Sequence, residues 1–334
     1  MSAPASGPAS GPAPDLREAE LWFRRHGLSY VVPTVRAQVR SAAAPRRLVA
    51  SAALLTAVAV GAGIGTGLLG DVADGSAVTV SLLLAGAVWY CLGPLCAGPI
   101  VRWAVSRTLR GLRLLVPTAS RALPLLLVFV TFLFINAEVW QLSAALPGST
   151  LWLVVLLLLG LAAVFLLVRL PDEVDRVDED VDEAFLRRAT AGTPLAAHVD
   201  AAVARGWRPV HVEFTGAART NLVLVLLLVQ FVQVLLLVLA VFGFFLLFGS
   251  LAVGEGVQVA WTAQEQVHSF GIAPNVSVEL VKVSLFLAAF SGLSFTVNAV
   301  TDETYRSQFF AAVTDELERA LATRVVYLVL AEPT

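Results

Sequence analysis

The chain has 334 residues, 57% of them hydrophobic and 14% charged, with a mean hydropathy of +0.79. Soluble domains are about 45–50% apolar, and the excess here lies in long runs, which excludes an ordinary soluble fold. The net charge of −2 says little beside the distribution of charge.

Residues 1–14 are Ala, Pro, Ser and Gly after the initiator Met, and read as a disordered tail rather than a secretory signal. Residues 15–47 follow as a helix, a strand and a juxtamembrane helix. Asp15 with Glu18 forms a capping pattern, Leu16, Ala19, Trp22 and Phe23 form the stripe, and Gly27 stops the helix. Leu28–Val32 then reads as a strand ended by Pro33. Spans one to four are expected at Leu48–Leu69, Val78–Trp103, Ala122–Leu142 and Leu151–Val168, within 48–168. The segment 169–219 reads as an acidic helix from Asp172 to Glu183, a helix with stripe Leu195, Val199 and Val203, a stop at Gly206, and a strand at Arg208–Phe214. Spans five and six fall at Asn221–Phe248 and Val278–Val300, within 220–300, joined by an external loop at 249–277. The tail 301–334 reads as a helix with stripe Tyr305, Phe309, Val313, Leu317 and Leu321, then a strand at Arg324–Leu330. Runs of 18 or more apolar residues can cross a hydrocarbon core of about 30 Å.

All 22 arginines fall on one side of this six-span weave. Residues 1–47 hold seven, Arg102–Arg121 five, Arg169–Arg219 seven and the C-terminal tail three. The intervening connections hold none. The positive-inside rule therefore predicts the cytoplasmic membrane with both termini cytosolic. Lys282, the one lysine, can snorkel outward from the start of span six. Trp89, Tyr90, Trp103, Trp140 and Trp152 are placed as an interfacial belt. The three cytosolic helix–strand units are expected to pair their strands, because a lone strand leaves its backbone groups unsatisfied. The expected fold is an all-α polytopic membrane protein with six transmembrane helices and a small cytosolic α/β module.

Candidate functional groups are few. Pro94 and Pro99, in Cys-Leu-Gly-Pro-Leu-Cys-Ala-Gly-Pro, either break or kink span two. Cys91 and Cys96 point roughly 140° apart on a helix and make neither a disulfide framework nor a metal pair. Span one carries Gly61/Gly65 and Gly63/Gly67, small-residue pairs that allow close packing and a homo-oligomer. Gly65-Thr-Gly67-Leu-Leu-Gly70 matches a dinucleotide fingerprint by letter, but inside a membrane helix it lacks the strand that motif requires. Glu138, with Asn136 two residues before it, is an intramembrane ionisable group or an outer-interface residue. Gln230 and Gln233 share a face of span five, and Asn298 lies in span six. All three serve interhelical hydrogen bonding or line a polar path. Arg107, Arg110 and Arg113 recur every third residue, which resembles the voltage-sensing helix of voltage-gated cation channels. Outside a span, they contact headgroups or the acidic helix instead. Six spans with a long external loop before the last resemble tetrameric cation channels, although no filter motif stands in the loop.

Gly-x-Ser-x-Gly, Walker A and His-Glu-x-x-His motifs are missing, His26, His198, His211 and His268 are scattered, and no Asp lies within a span. Neither enzyme activity nor a cofactor is expected. The stretches Leu-Trp-Phe-Arg-Arg-His-Gly-Leu-Ser-Tyr-Val-Val-Pro (21–33) and Phe-Thr-Val-Asn-Ala-Val-Thr-Asp-Glu-Thr-Tyr-Arg (295–306) resemble the ends of uncharacterised multi-pass membrane proteins of actinobacterial type, a resemblance that implies no activity. Two functions fit: a channel or transporter lined by spans two, three, five and six, or a non-transporting scaffold or sensor whose cytosolic module binds a partner protein. The expected partners are the lipid bilayer, a second copy through span one and a cytosolic protein, with no nucleic acid.

Overall fold

The computed structural model describes residues 16–177, 181–207, 216–269, 275–301 and 318–332, with side chains outside 110–126, 169–177, 217–218 and 300–301. The described chain is helical: α1 Leu16–Arg25, α2 Pro33–Ala42, α3 Pro45–Leu69, α4 Val72–Leu92, α5 Gly98–Phe134, α6 Ala137–Ala145, α7 Gly148–Val177, α8 Glu183–Ala189, α9 Val199–Arg205, α10 Ala217–Ala252, α11 Glu255–Thr262, α12 Val278–Thr301, and α13 at 318–331. The extended pairing among these residues is one isolated bridge between Ser269 and Ser277.

Five helices are long and apolar enough to cross a membrane: Pro45–Leu69, Val72–Leu92, Gly148–Val168, Arg219–Ala252 and Val278–Ala299. A sixth crossing is present if Leu127–Phe134 and Ala137–Ala145, bent by 71° at their break, count as one. The chain is thus an all-α membrane protein. Helices α5, α7, α10 and α12 pack together as the central bundle, and α3 and α4 form a hairpin that reaches it through α4. The hairpin closes where glycine removes side-chain bulk. A Cβ on Gly63 would stand 2.7 Å from the Gly75 carbonyl, and one on Gly75 only 2.5 Å from that of Gly63. The Gly63/Gly67 pair is therefore used within the chain, whereas Gly61 and Gly65 meet nothing.

Span two differs from expectation. Helix α4 stops at Leu92, a turn follows over 93–97, and Pro99 enters the first turn of α5. The expected span Val78–Trp103 is therefore interrupted at 93–97, with Pro94 in the connection between two helices and Pro99 at the start of the second. Proline's missing N–H is harmless at a first helical turn, where that donor has no partner. Cys91 and Cys96 are free thiols. The Arg102–Arg113 segment is the first half of α5, continuous with span three.

The expected α/β module is also corrected. Leu28–Val32 is not a strand but contains a 3₁₀ turn, Ser29–Val31. Arg324–Leu330 lies inside α13, and Arg208–Phe214 lies outside the described residues. The physical reason is visible at Tyr30. Its backbone N–H donates to Asn221 Oδ1 (2.8 Å), and its carbonyl accepts from Arg36 Nε (3.2 Å). Val31 O accepts from Arg36 Nη2 at 3.2 Å. Side chains satisfy this buried backbone, so it needs no sheet. In α13, a run of β-branched residues is buried on nearly every side, and a helix meets its own backbone demands there.

The three segments nevertheless meet. Phe23 of α1 packs edge-on against Tyr327 of α13 with centroids 5.5 Å apart, and the Tyr327 hydroxyl donates to Glu20 at 3.0 Å. Burial, and then the hydrogen bond and charge of Glu20, push this phenol up to about 12, so it remains a donor at ordinary pH. Arg205, at the end of α9, donates to Leu330 O at 3.5 Å. Gly27 is the hinge of this region. Its φ of +77° ends α1, the Trp103 ring lies 3.1 Å from where a Cβ would stand, and its carbonyl accepts from Asn221 Nδ2 at 3.0 Å. Asn221 is fully buried and joins α10 to the N-terminal segment with both ends of its amide. Replacing it with leucine strands two buried backbone groups, each worth about 1–3 kcal/mol. Asn221→Leu is expected to lower the melting temperature in detergent by roughly 5–10 °C and to speed tryptic cleavage at Arg24 and Arg25.

Candidate functional site

The break in span three gathers the polar candidates nearest the arginine-poor end. Helix α5 stops at Phe134, and the Asn136 side chain caps α6 by accepting from the Glu138 N–H at 2.8 Å. The carbonyl freed at Phe134 is not left open. Trp140, fully buried, donates its indole N–H to it at 2.6 Å. The Phe134 ring stacks on Phe245 at 4.8 Å, and Trp140 meets Trp261 of α11 at 5.6 Å. At the other end of α6, Lys282 of α12 donates to the carbonyls of Ala144 (3.0 Å) and Leu146 (2.8 Å). A cation there also answers the negative end of the helix dipole. Lys282 is thus half-buried, with its ammonium held at the end of α6.

The described part of the 249–277 connection is folded. It contains α11, which packs on α6. Fully buried Gln258 donates to Val253 O (2.9 Å) and Asn275 O (2.7 Å) and accepts from the Ser277 hydroxyl (2.6 Å). The return to α12 is held by Glu279, whose carboxylate accepts from the His268 backbone N–H at 3.0 Å and meets its ring Nδ1 at 2.8 Å.

The structure disperses the expected site residues. Glu138 and Asn136 are exposed, and Asn298 is exposed on α12. Gln230 is fully buried in α10, with neither side-chain atom partnered, and the Gln233 carbonyl oxygen is likewise unpartnered. Phe134 packs at Gly249, 19 residues from Gln230 along α10, which is roughly 28 Å at 1.5 Å per residue. Glu138 and Gln230 therefore do not share one site. Arg107 is half-buried, while the side chains of Arg110, Arg113 and the acidic residues 172–180 lie outside those described. Trp103 and Trp140 are buried, so of the expected belt Trp89 (71% exposed) and Trp152 (44%) face outward.

Sequence reading missed Asn221, Gln258 and Trp140 as structural anchors. Asn221 carries a signal, being the lone polar side chain at the head of an apolar run. A surface groove of about 510 Å³ lies between α3 and α4, lined by Gly63, Gly67, Gly75 and Thr79 among others. No group of three His, Cys, Asp or Glu that could hold a metal ion occurs among the described residues. What the arrangement does chemically is bind helix ends together.

Trp140→Phe is expected to destabilise by about 1–2 kcal/mol and Lys282→Met by about 1–3 kcal/mol, because each leaves carbonyls without donors. Exposed Glu138→Gln is expected to stay within about 0.5 kcal/mol of wild type. Thermal unfolding of the three variants in one detergent checks the ranking.

No protein-family model, curated protein or solved structure matches this chain.

Proposed function

We propose that the chain is a non-transporting scaffold of the cytoplasmic membrane. Its arginine-bearing side, with both termini, faces the cytosol and holds a module that binds a partner protein. The observation that carries this reading is the dispersal of the polar candidates. Gln230 stands roughly 28 Å along α10 from Gly249, where Phe134 of the span-three break packs, and the hydrogen-bonding groups around that break are occupied by one another. Meanwhile α1, α9 and α13 are tied together beneath the bundle, and α1 offers Leu21, 55% exposed, beside Arg17, Arg24 and Arg25. A small apolar contact ringed by charge suits a protein surface.

A channel or transporter is the second reading, favoured by Gln230. A fully buried amide without partners is unusual and marks a place where water or a substrate group would be welcome. Proteoliposome flux separates the two. The scaffold reading predicts that K⁺, Na⁺, Cl⁻ and proton fluxes match those of protein-free liposomes. Flux well above that background, and lost in Gln230→Leu, would establish the second reading and overturn the first.

A further inference from the structure

Between Glu20 and Asp71 the chain has six arginines and no carboxylate. The structure sorts these six. Arg36 turns inward to the carbonyls of Tyr30 and Val31, and Arg24 donates to Thr34 Oγ1 at 3.2 Å. Of the other four, Arg25 ends α1, and the remaining three, Arg40, Arg46 and Arg47, are all exposed and without an acidic partner among the described residues. They surround the elbow between α2 and α3.

That elbow is fixed in place. Val39 and Ala42 bury the inner face of α2, and the Tyr90 hydroxyl of α4 donates to Ala42 O at 2.8 Å. Immediately beyond Arg47, α3 exposes Val49 (68%), Leu54 (68%) and Val58 (57%). A flank that apolar on a membrane-crossing helix belongs in lipid, which sets the arginines at headgroup depth. Gly86 of α4 packs against Leu55 of α3. In that antiparallel register Trp89 lies about one and a half helical turns, ~7 Å, deeper than Arg47. Trp89 is 71% exposed and its indole N–H makes no hydrogen bond among the described residues. Arginine at the phosphates with tryptophan just beneath is the arrangement that lipid headgroups select.

We propose that the α2–α3 elbow is a binding site for anionic phospholipid. Arg40, Arg46 and Arg47 hold the phosphodiester through guanidinium hydrogen bonds, and Trp89 lies beside the upper acyl chain. Guanidinium groups match phosphate oxygens bidentately. A zwitterionic lipid brings its own cation and gains less. A nucleic acid or acidic peptide would have to displace lipid from the flank of α3. The inference needs only that the chain is a membrane protein and is independent of the scaffold reading.

The test is native mass spectrometry of the full chain in neutral detergent, offered an equal mixture of phosphatidylglycerol and phosphatidylcholine. Three cations near a membrane surface predict a preference for phosphatidylglycerol of at least about tenfold at low salt. R40Q/R46Q/R47Q is expected to bring the ratio close to one, whereas R24Q/R25Q leaves it high. If the triple variant does not fold, the single variants R46Q and R47Q are each expected to reduce the ratio by roughly threefold. Added inorganic phosphate is expected to displace no lipid. A wild-type ratio near one, a folded elbow variant with the wild-type ratio, or free displacement by phosphate would overturn the assignment.

Discussion

In an apolar medium a peptide group must be hydrogen-bonded by the protein itself, and this one constraint organises the whole chain. Helices meet it along their length and fail at their ends. At several helix ends within the protein, a side chain takes over. Asn136, Trp140 and Lys282 do so around α6, and Gln258 does so where α10 gives way to α11. At the opposite end, Asn221 and Arg36 satisfy the non-helical stretch around Tyr30. The polar residues that stand out in so apolar a sequence are, for the most part, the price of letting the backbone leave the helix.

This explains why the sequence was legible in parts. Long apolar runs announce crossing helices because no other open structure keeps its backbone satisfied in lipid, and four of the six expected spans overlap helices of nearly the same bounds, span three being interrupted at the 71° break. Span two was misjudged because its apolar run continues through Pro94 and Pro99, and hydropathy does not register a turn. The strands at Leu28–Val32 and Arg324–Leu330 were misread for a related reason. Alternating or β-branched residues signal burial on a pleat only if a partner strand exists. Here an asparagine about 190 residues away in sequence supplies the missing partner. Single-sequence periodicity carries no information about such a contact.

The candidate site was legible as a set of residues but not as roles. Glu138 drew notice as a carboxylate inside a span. The 71° bend puts it on the first turn of a new helix, exposed, where an acidic side chain suits the helix dipole. Lys282, expected as an interfacial cation, closes the end of α6. Gln230, expected to hydrogen-bond between helices or line a polar path, is buried with neither side-chain atom partnered among the described residues. The hydrogen-bond repairs seal the interruptions of the helices, and the one-sided arginines of the sequence are the basis of the proposed orientation.

Those interruptions are sealed rather than gated. Hydrogen–deuterium exchange of the intact protein in lipid nanodiscs measures this directly. The backbone amides of Tyr30, of α6 and of the first turn of α12 are predicted to exchange as slowly as those at the centre of α10. Exchange of these amides within seconds, while the centre of α10 stays protected, would contradict it and show that the breaks open to water.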